Sequence, residues 1–168
     1  MIRVGFIGCG RISDLHAAAY LHSKHATITA VADPDESNRT TRGNAWGVPE
    51  SAQHADAADL LARDDVDMVE VLVPHHLHEQ VAQQAAAAGK HISLQKPMAM
   101  GLDEADRIIA AASDAGVTLK VFENFVFYPP IQRARDLIDN GEIGDVLSIR
   151  LKSAAGYATA GGEVPAEA

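Results

Sequence analysis

Short β-branched runs alternate with helix-period segments along most of this chain, and that alternation spells out stacked βα units. Residues 2–7 read as a first strand and residues 12–23 as the helix after it. A second strand over 27–32 leads into a helix over 36–46 and a short helix over 55–62. Met-Val-Glu-Val-Leu-Val at 68–73 reads as a buried strand, with an Ala-rich helix over 75–88 closed by Gly89. A short strand over 91–94 follows. Residues 102–115 then place Leu102, Ala105, Ile108, Ile109 and Ala112 on one helical face, with Asp103 and Glu104 in the first turn. Residues 118–122 supply the last strand. Successive parallel strands need crossover helices, so the fold class is α/β, with a doubly wound parallel sheet over residues 1–123.

The remainder, residues 124–168, does not fit that sheet. Pro129 and Pro130 open a helix running to Asn140-Gly141. Residues 146–152 alternate, with Leu147, Ile149 and Leu151 on one face and Ser148, Arg150 and Lys152 on the other. Such alternation predicts a strand in a sheet covered on one side only. A lone strand of this kind cannot hold itself together. The segment therefore reads as the start of a truncated second α/β domain, followed by an Ala- and Gly-rich tail after Ser153. Cover for the Leu147/Ile149/Leu151 face makes a homo-oligomer the expectation.

Composition excludes some partners. The net charge of −9 speaks against nucleic acid, whose phosphates are bound by clustered Lys and Arg. The single cysteine, Cys9, allows no internal disulfide and fits a reducing compartment. The N-terminus has no basic region leading into a long apolar run, and no segment approaches the roughly 18 apolar residues of a membrane span. The expectation is a cytoplasmic protein with no membrane partner.

Gly8-Cys9-Gly10-Arg11-Ile12-Ser13 lies directly between the first strand and its helix. Gly8 permits a tight turn, and Gly10 lets the backbone approach a pyrophosphate held at the helix N-terminus. Ser13 stands where a third Gly or Ala is usual, a place that needs a small side chain. Asp33 ends the second strand 23 residues after Gly10, near the spacing of an acid that binds the adenosine ribose. This is the fingerprint of a Rossmann domain holding NAD. Competing readings are a plain glycine turn with a helix-capping Asp33, and a methyltransferase loop. Asp35 and Glu36 would add two more carboxylates near a 2′-phosphate, which favours NAD over NADP; Arg39 and Arg42 pull the other way.

Four segments together resemble the Gfo/Idh/MocA oxidoreductases, the glucose–fructose oxidoreductase and inositol dehydrogenase group. They are the strand, Pro74 and His78 of Met68 to His78, the Gly89-Lys90-His91…Gln95-Lys96-Pro97 segment, Glu123-Asn124-Phe125, and Gly141-Glu142-Ile143-Gly144-Asp145. The likeness covers residues 1–152. It implies a nicotinamide enzyme that oxidises a sugar, cyclitol or related polyol, or reduces the matching ketone. It further implies Lys96 beside the reacting carbon, where an ammonium polarises the substrate oxygen, and His78 near the nicotinamide end as a second catalytic residue. Gly8, Gly10, Arg11, Ile12, Asp33, Pro74, His75, Gln95, Lys96 and Asn124 form the implied cofactor-binding set. Two positions depart from the family's pattern: Gln95 replaces its usual Glu, and Val126 stands where many members carry Arg. In the family, an Asp and a His from later sequence complete proton transfer, and this chain ends before them. A non-catalytic NAD-binding regulator or scaffold is the alternative.

Other residues invite blander readings. His75, His76 and His78 lack a third ligand of the kind zinc requires, so no metal site is expected. Cys9 reads as a small filler, Trp46 as core, and Phe122, Phe125, Phe127 and Tyr128 as a packing junction between domains. Pro97 is a candidate for a cis peptide.

Overall fold

A computed structural model describes residues 1–152, leaving aside the side chain of Asn124; the tail after Ser153 lies outside the described residues. The chain divides into two compact units, Met1–Glu123 and Asn124–Ala168. In the first unit β1 (Ile2–Ile7), β2 (Ala26–Ala32), β3 (Gln53–His54), β4 (Met68–Val71), β5 (His91–Leu94) and β6 (Leu119–Val121) form one sheet. Its order is β3-β2-β1-β4-β5-β6, and all its pairings are parallel. The crossovers carry α1 (Ser13–Leu21), α2 (Glu36–Ala45), α3 (Ala57–Leu61), α4 (His78–Ala87) and α5 (Leu102–Asp114). In the second unit lies α6 (Pro129–Asp139), opened by the proline pair.

Local chemistry explains where the helices begin. The Asp35 carboxylate accepts the Asn38 N–H at 2.8 Å to cap α2, and Asp56 does the same for Ala58 ahead of α3. Each such cap contributes about 1 kcal/mol. The small residues Ala82, Ala85 and Ala86 on the buried face of α4 let that helix lie close to the sheet. Central strands are buried on both faces, so Val4, Phe6, Val31, Val69, Val71 and Leu94 make the core. Phe6 packs on Trp46 with ring centroids 4.9 Å apart and edge-on against Tyr20 at 5.7 Å. One residue breaks this apolar rule: Glu70, in the middle of β4, is 0% exposed.

The structure corrects several sequence expectations. The edge strand β3 carries no period-2 signal because it is two residues long, and it exists by pairing Gln53 and His54 with Val31 and Ala32. The helix expected over 75–88 splits into a 3₁₀ turn, His75–Leu77, and α4, because Pro74 sets the entry to the turn. Residues 146–152 form no strand: they have no regular structure, and Leu147 is 96% exposed. An alternating sequence becomes a strand only when a ladder partner satisfies its backbone, and none is present among the described residues. Among those residues no helix is long and apolar enough to cross a membrane.

Sheet order fixes where a ligand can sit. Strands run outward from β1 to β2 on one side and from β1 to β4 on the other, so the connections after β1 and β4 leave on opposite faces. A crevice opens at the carboxyl ends of these two strands, the switch point where open α/β sheets bind ligands.

A nucleotide-shaped crevice beside Lys96

Gly8 turns the chain out of β1 with φ of +98°, a conformation side chains rarely adopt. A Cβ there would also lie 2.7 Å from the Leu72 carbonyl oxygen, at the end of β4. Glycine is thus required twice over, by the turn and by the close approach of the neighbouring strand. Gly10 differs: beyond its chain neighbours, a Cβ there would meet no atom of the described residues within 4 Å. Ser13 fills the place expected of a small residue; it is fully buried, and its hydroxyl donates to the Gly10 carbonyl at 2.6 Å.

This loop ends at an open helix terminus. Ile12 precedes α1 without a side-chain cap, and the amides of Gly10, Arg11 and Ile12 donate to no group among the described residues. Their partial positive charge is available to an anion. Asp33 is pinned beside them. Its Oδ2 accepts the Cys9 N–H at 2.7 Å and its Oδ1 accepts the Asp35 N–H at 2.8 Å, which leaves each oxygen a second lone pair. Burial, reinforced by the Asp33 charge, pushes the Cys9 thiol up to about 12, so Cys9 is an inert filler.

A cavity of about 690 Å³ occupies the crevice, within the size range of small-molecule sites. It brings together Gly8, Gly10, Ile12, Asp33, Pro74, His75, Gln95 and Lys96 from four separate stretches of sequence. Apolar side chains missed in the sequence reading, among them Ala55, Leu72, Val73 and Leu77, complete its wall. Their apolarity is indistinguishable from core in a linear sequence. Arg11 belongs to the loop but not to the lining. Asn124 lies in the second unit, and its side chain is outside the description. The arrangement fits a dinucleotide: bare amides for the diphosphate, a glycine without steric neighbours, and a carboxylate with spare lone pairs.

At the other end of the cavity, the Lys96 N–H donates to Gln95 Oε1 at 2.8 Å, and the Lys96–Pro97 peptide is cis. His78 is not brought to the cavity. It is fully buried, with Nδ1 2.9 Å from the Pro97 carbonyl and Nε2 3.1 Å from that of Val73. A neutral imidazole has one N–H, so one of these two carbonyls accepts from it; either bond ties His78 to backbone beside the segment carrying Lys96, and its buried ring is not part of the cavity lining. The ring of His75 stands edge-on to it, with centroids 5.5 Å apart. No group of three or more His, Cys, Asp or Glu among the described residues could hold a metal ion.

Strand order, glycine turn and a carboxylate closing β2 define an NAD(P)-binding Rossmann domain. The family model described as the oxidoreductase family with an NAD-binding Rossmann fold matches residues 2–123. The chain belongs to this Gfo/Idh/MocA family. It is 35% identical to D-apiose dehydrogenase of Paraburkholderia graminis over 138 residues, covering 82% of this chain and 36% of that one. Among solved structures, the WlbA dehydrogenase from Bordetella pertussis, in complex with NADH and UDP-GlcNAcA, superposes with a TM-score of 0.79 at 30% identity. That match covers 85% of this chain and 41% of WlbA. KijD10, a 3-ketoreductase from Actinomadura kijaniata in complex with TDP-benzene and NADP, gives 0.78 at 31%, covering 86% and 45%. The chain therefore spans less than half the length of these relatives.

Proposed function

We propose that this chain binds NAD(H) in the crevice between β1, β2 and β4, as the cofactor-binding part of a dehydrogenase acting on the CH–OH group of a sugar, cyclitol or related polyol. The observation that carries this reading is the convergence of Gly8, Gly10, Asp33 and Lys96 on one cavity. The diphosphate rests on the amides that open α1, and Asp33 holds the adenosine ribose hydroxyls through its spare lone pairs. When bound, the nicotinamide supplies the two-electron partner for the carbinol. Lys96 approaches the substrate oxygen from the far end of the cavity. Its ammonium would donate to that oxygen and polarise the carbonyl in the reducing direction, whereas in the oxidising direction the uncharged amine would accept the alcohol's proton as hydride leaves the carbon; the apolar wall limits water around the charge.

Contacts made by two arginines of α2 support a preference for NAD. Arg39 Nη1 donates to the Asp33 backbone carbonyl at 2.8 Å, and Arg42 pairs with Asp14 at 2.9 Å. Each guanidinium is anchored through part of its donor set, with Arg42 Nε left without a hydrogen-bond partner among the described residues, while the Asp33 carboxylate lines the cavity and would repel a 2′-phosphate. Replacing Asp33 with Ser is expected to weaken NADH binding about 10–100-fold, the loss of hydrogen bonds to a charged group, while NADPH is held as well or better. Fluorescence titration with both nucleotides reads the ratio. Equal losses would show that Asp33 serves only the loop.

A further inference from the structure

β4 lies at the centre of the sheet, and a strand there is expected to be apolar throughout; Glu70 is a fully buried carboxylate that the cavity does not explain. Leaving such a charge without partners costs several kcal/mol, so its partners indicate what it holds. The Tyr20 hydroxyl donates to Glu70 Oε1. Burial first and the Glu70 charge second raise the Tyr20 phenol, which keeps it a donor. Glu70 Oε2 lies 3.2 Å from His16 Nδ1, and His16 Nε2 lies 2.9 Å from Gln95 Nε2. Phe122 covers the imidazole edge-on, with ring centroids 4.5 Å apart.

These contacts allow one assignment of hydrogens. The backbone N–H of Lys96 donates to Gln95 Oε1, so the amide nitrogen of Gln95 faces His16. That nitrogen is only a donor, so His16 Nε2 accepts and the ring proton sits on Nδ1, where it donates to Glu70. Turning the Gln95 amide over would set its NH₂ against the Lys96 N–H, two donors face to face. The carboxylate thus dictates the tautomer, the tautomer dictates the amide, and the amide grips the Lys96 backbone.

Resting on the assignment of Lys96 to the reaction, we propose that Glu70 and His16 are positioning residues for Lys96, acting through the Gln95 amide. Donor count supports the pairing of Glu70 with Gln95. A carboxylate at position 95 would set two acceptors, its own oxygen and His16 Nε2, face to face unless a further proton were held between them, whereas the Gln95 amide supplies the donor itself.

Nitrogen-15 NMR of His16 in the purified chain tests this directly. The wild type is expected to show the ring proton on Nδ1 and a bare Nε2 at neutral pH. His16→Asn keeps a donor for Glu70 but loses the acceptor for Gln95. It is expected to speed hydrogen exchange at the Lys96 amide about 10-fold, the loss of one hydrogen bond, with the amides of Val69 and Ile92 unchanged. A proton on Nε2 in the wild type, or unaltered Lys96 exchange in His16→Asn, overturns the relay. NADH fluorescence on the same samples separates the two readings. Failure of the wild type to bind NADH removes the dinucleotide reading and leaves the tautomer result standing.

Discussion

Replacing Lys96 with alanine is expected to lower kcat about 10²–10⁴-fold in a catalytically active preparation, the usual contribution of a positioned proton donor or acceptor. The expectation comes from placement. Lys96 lines the cavity immediately after β5, and its backbone is fixed by the Gln95 amide on one side while His78 grips the next residue, Pro97, on the other. Among the described residues no other lysine or arginine lines the crevice, so none of them replaces its ammonium there. NADH affinity should stay close to that of the wild type, because the diphosphate and ribose contacts lie at the opposite end. Steady-state kinetics with the fastest substrate of a polyol and aldose panel, beside a direct NADH titration, separate the two effects. Turnover unchanged in Lys96→Ala would remove this residue from the chemistry.

The second large effect concerns the glycine turn. Gly8→Ala must hold a side chain at φ of +98° and push a methyl to 2.7 Å from the Leu72 carbonyl, a backbone atom with no freedom to retreat. Strain and overpacking together should cost about 2–4 kcal/mol, measured by chemical denaturation. Gly10→Ala is the informative partner, since beyond its chain neighbours its methyl meets no atom of the described residues within 4 Å and its backbone is not left-handed. That variant should fold with nearly unchanged stability yet bind NADH about 10-fold or more weakly, because the methyl enters the space reserved for the diphosphate. If the two substitutions behaved alike, the glycines would serve the turn alone.

How much of this was legible in the sequence depended on the range of the forces involved. The strand–glycine–helix junction is local, so the meeting of Gly8, Gly10 and Asp33 at one crevice could be expected from spacing alone. β3 has two residues and is made by its neighbour, which no local pattern encodes. Residues 146–152 show the converse: the alternation is real, but a strand needs a partner that the described residues do not supply. His78 was read from a motif as facing the reaction, whereas its environment turns both ring nitrogens onto carbonyls. Glu70 did carry a signal, a single acid within an otherwise apolar strand, but its partners at Tyr20 and His16 are 50 and 54 residues away and meet it only in the fold.

The most direct test of the account is a titration of NADH against the purified chain, followed by nucleotide fluorescence. Saturable binding, competed by NAD and weakened in Gly10→Ala, is the predicted result. An unsaturated signal into the millimolar range, or saturation indifferent to Gly10, would contradict the claim that this crevice is built for a dinucleotide.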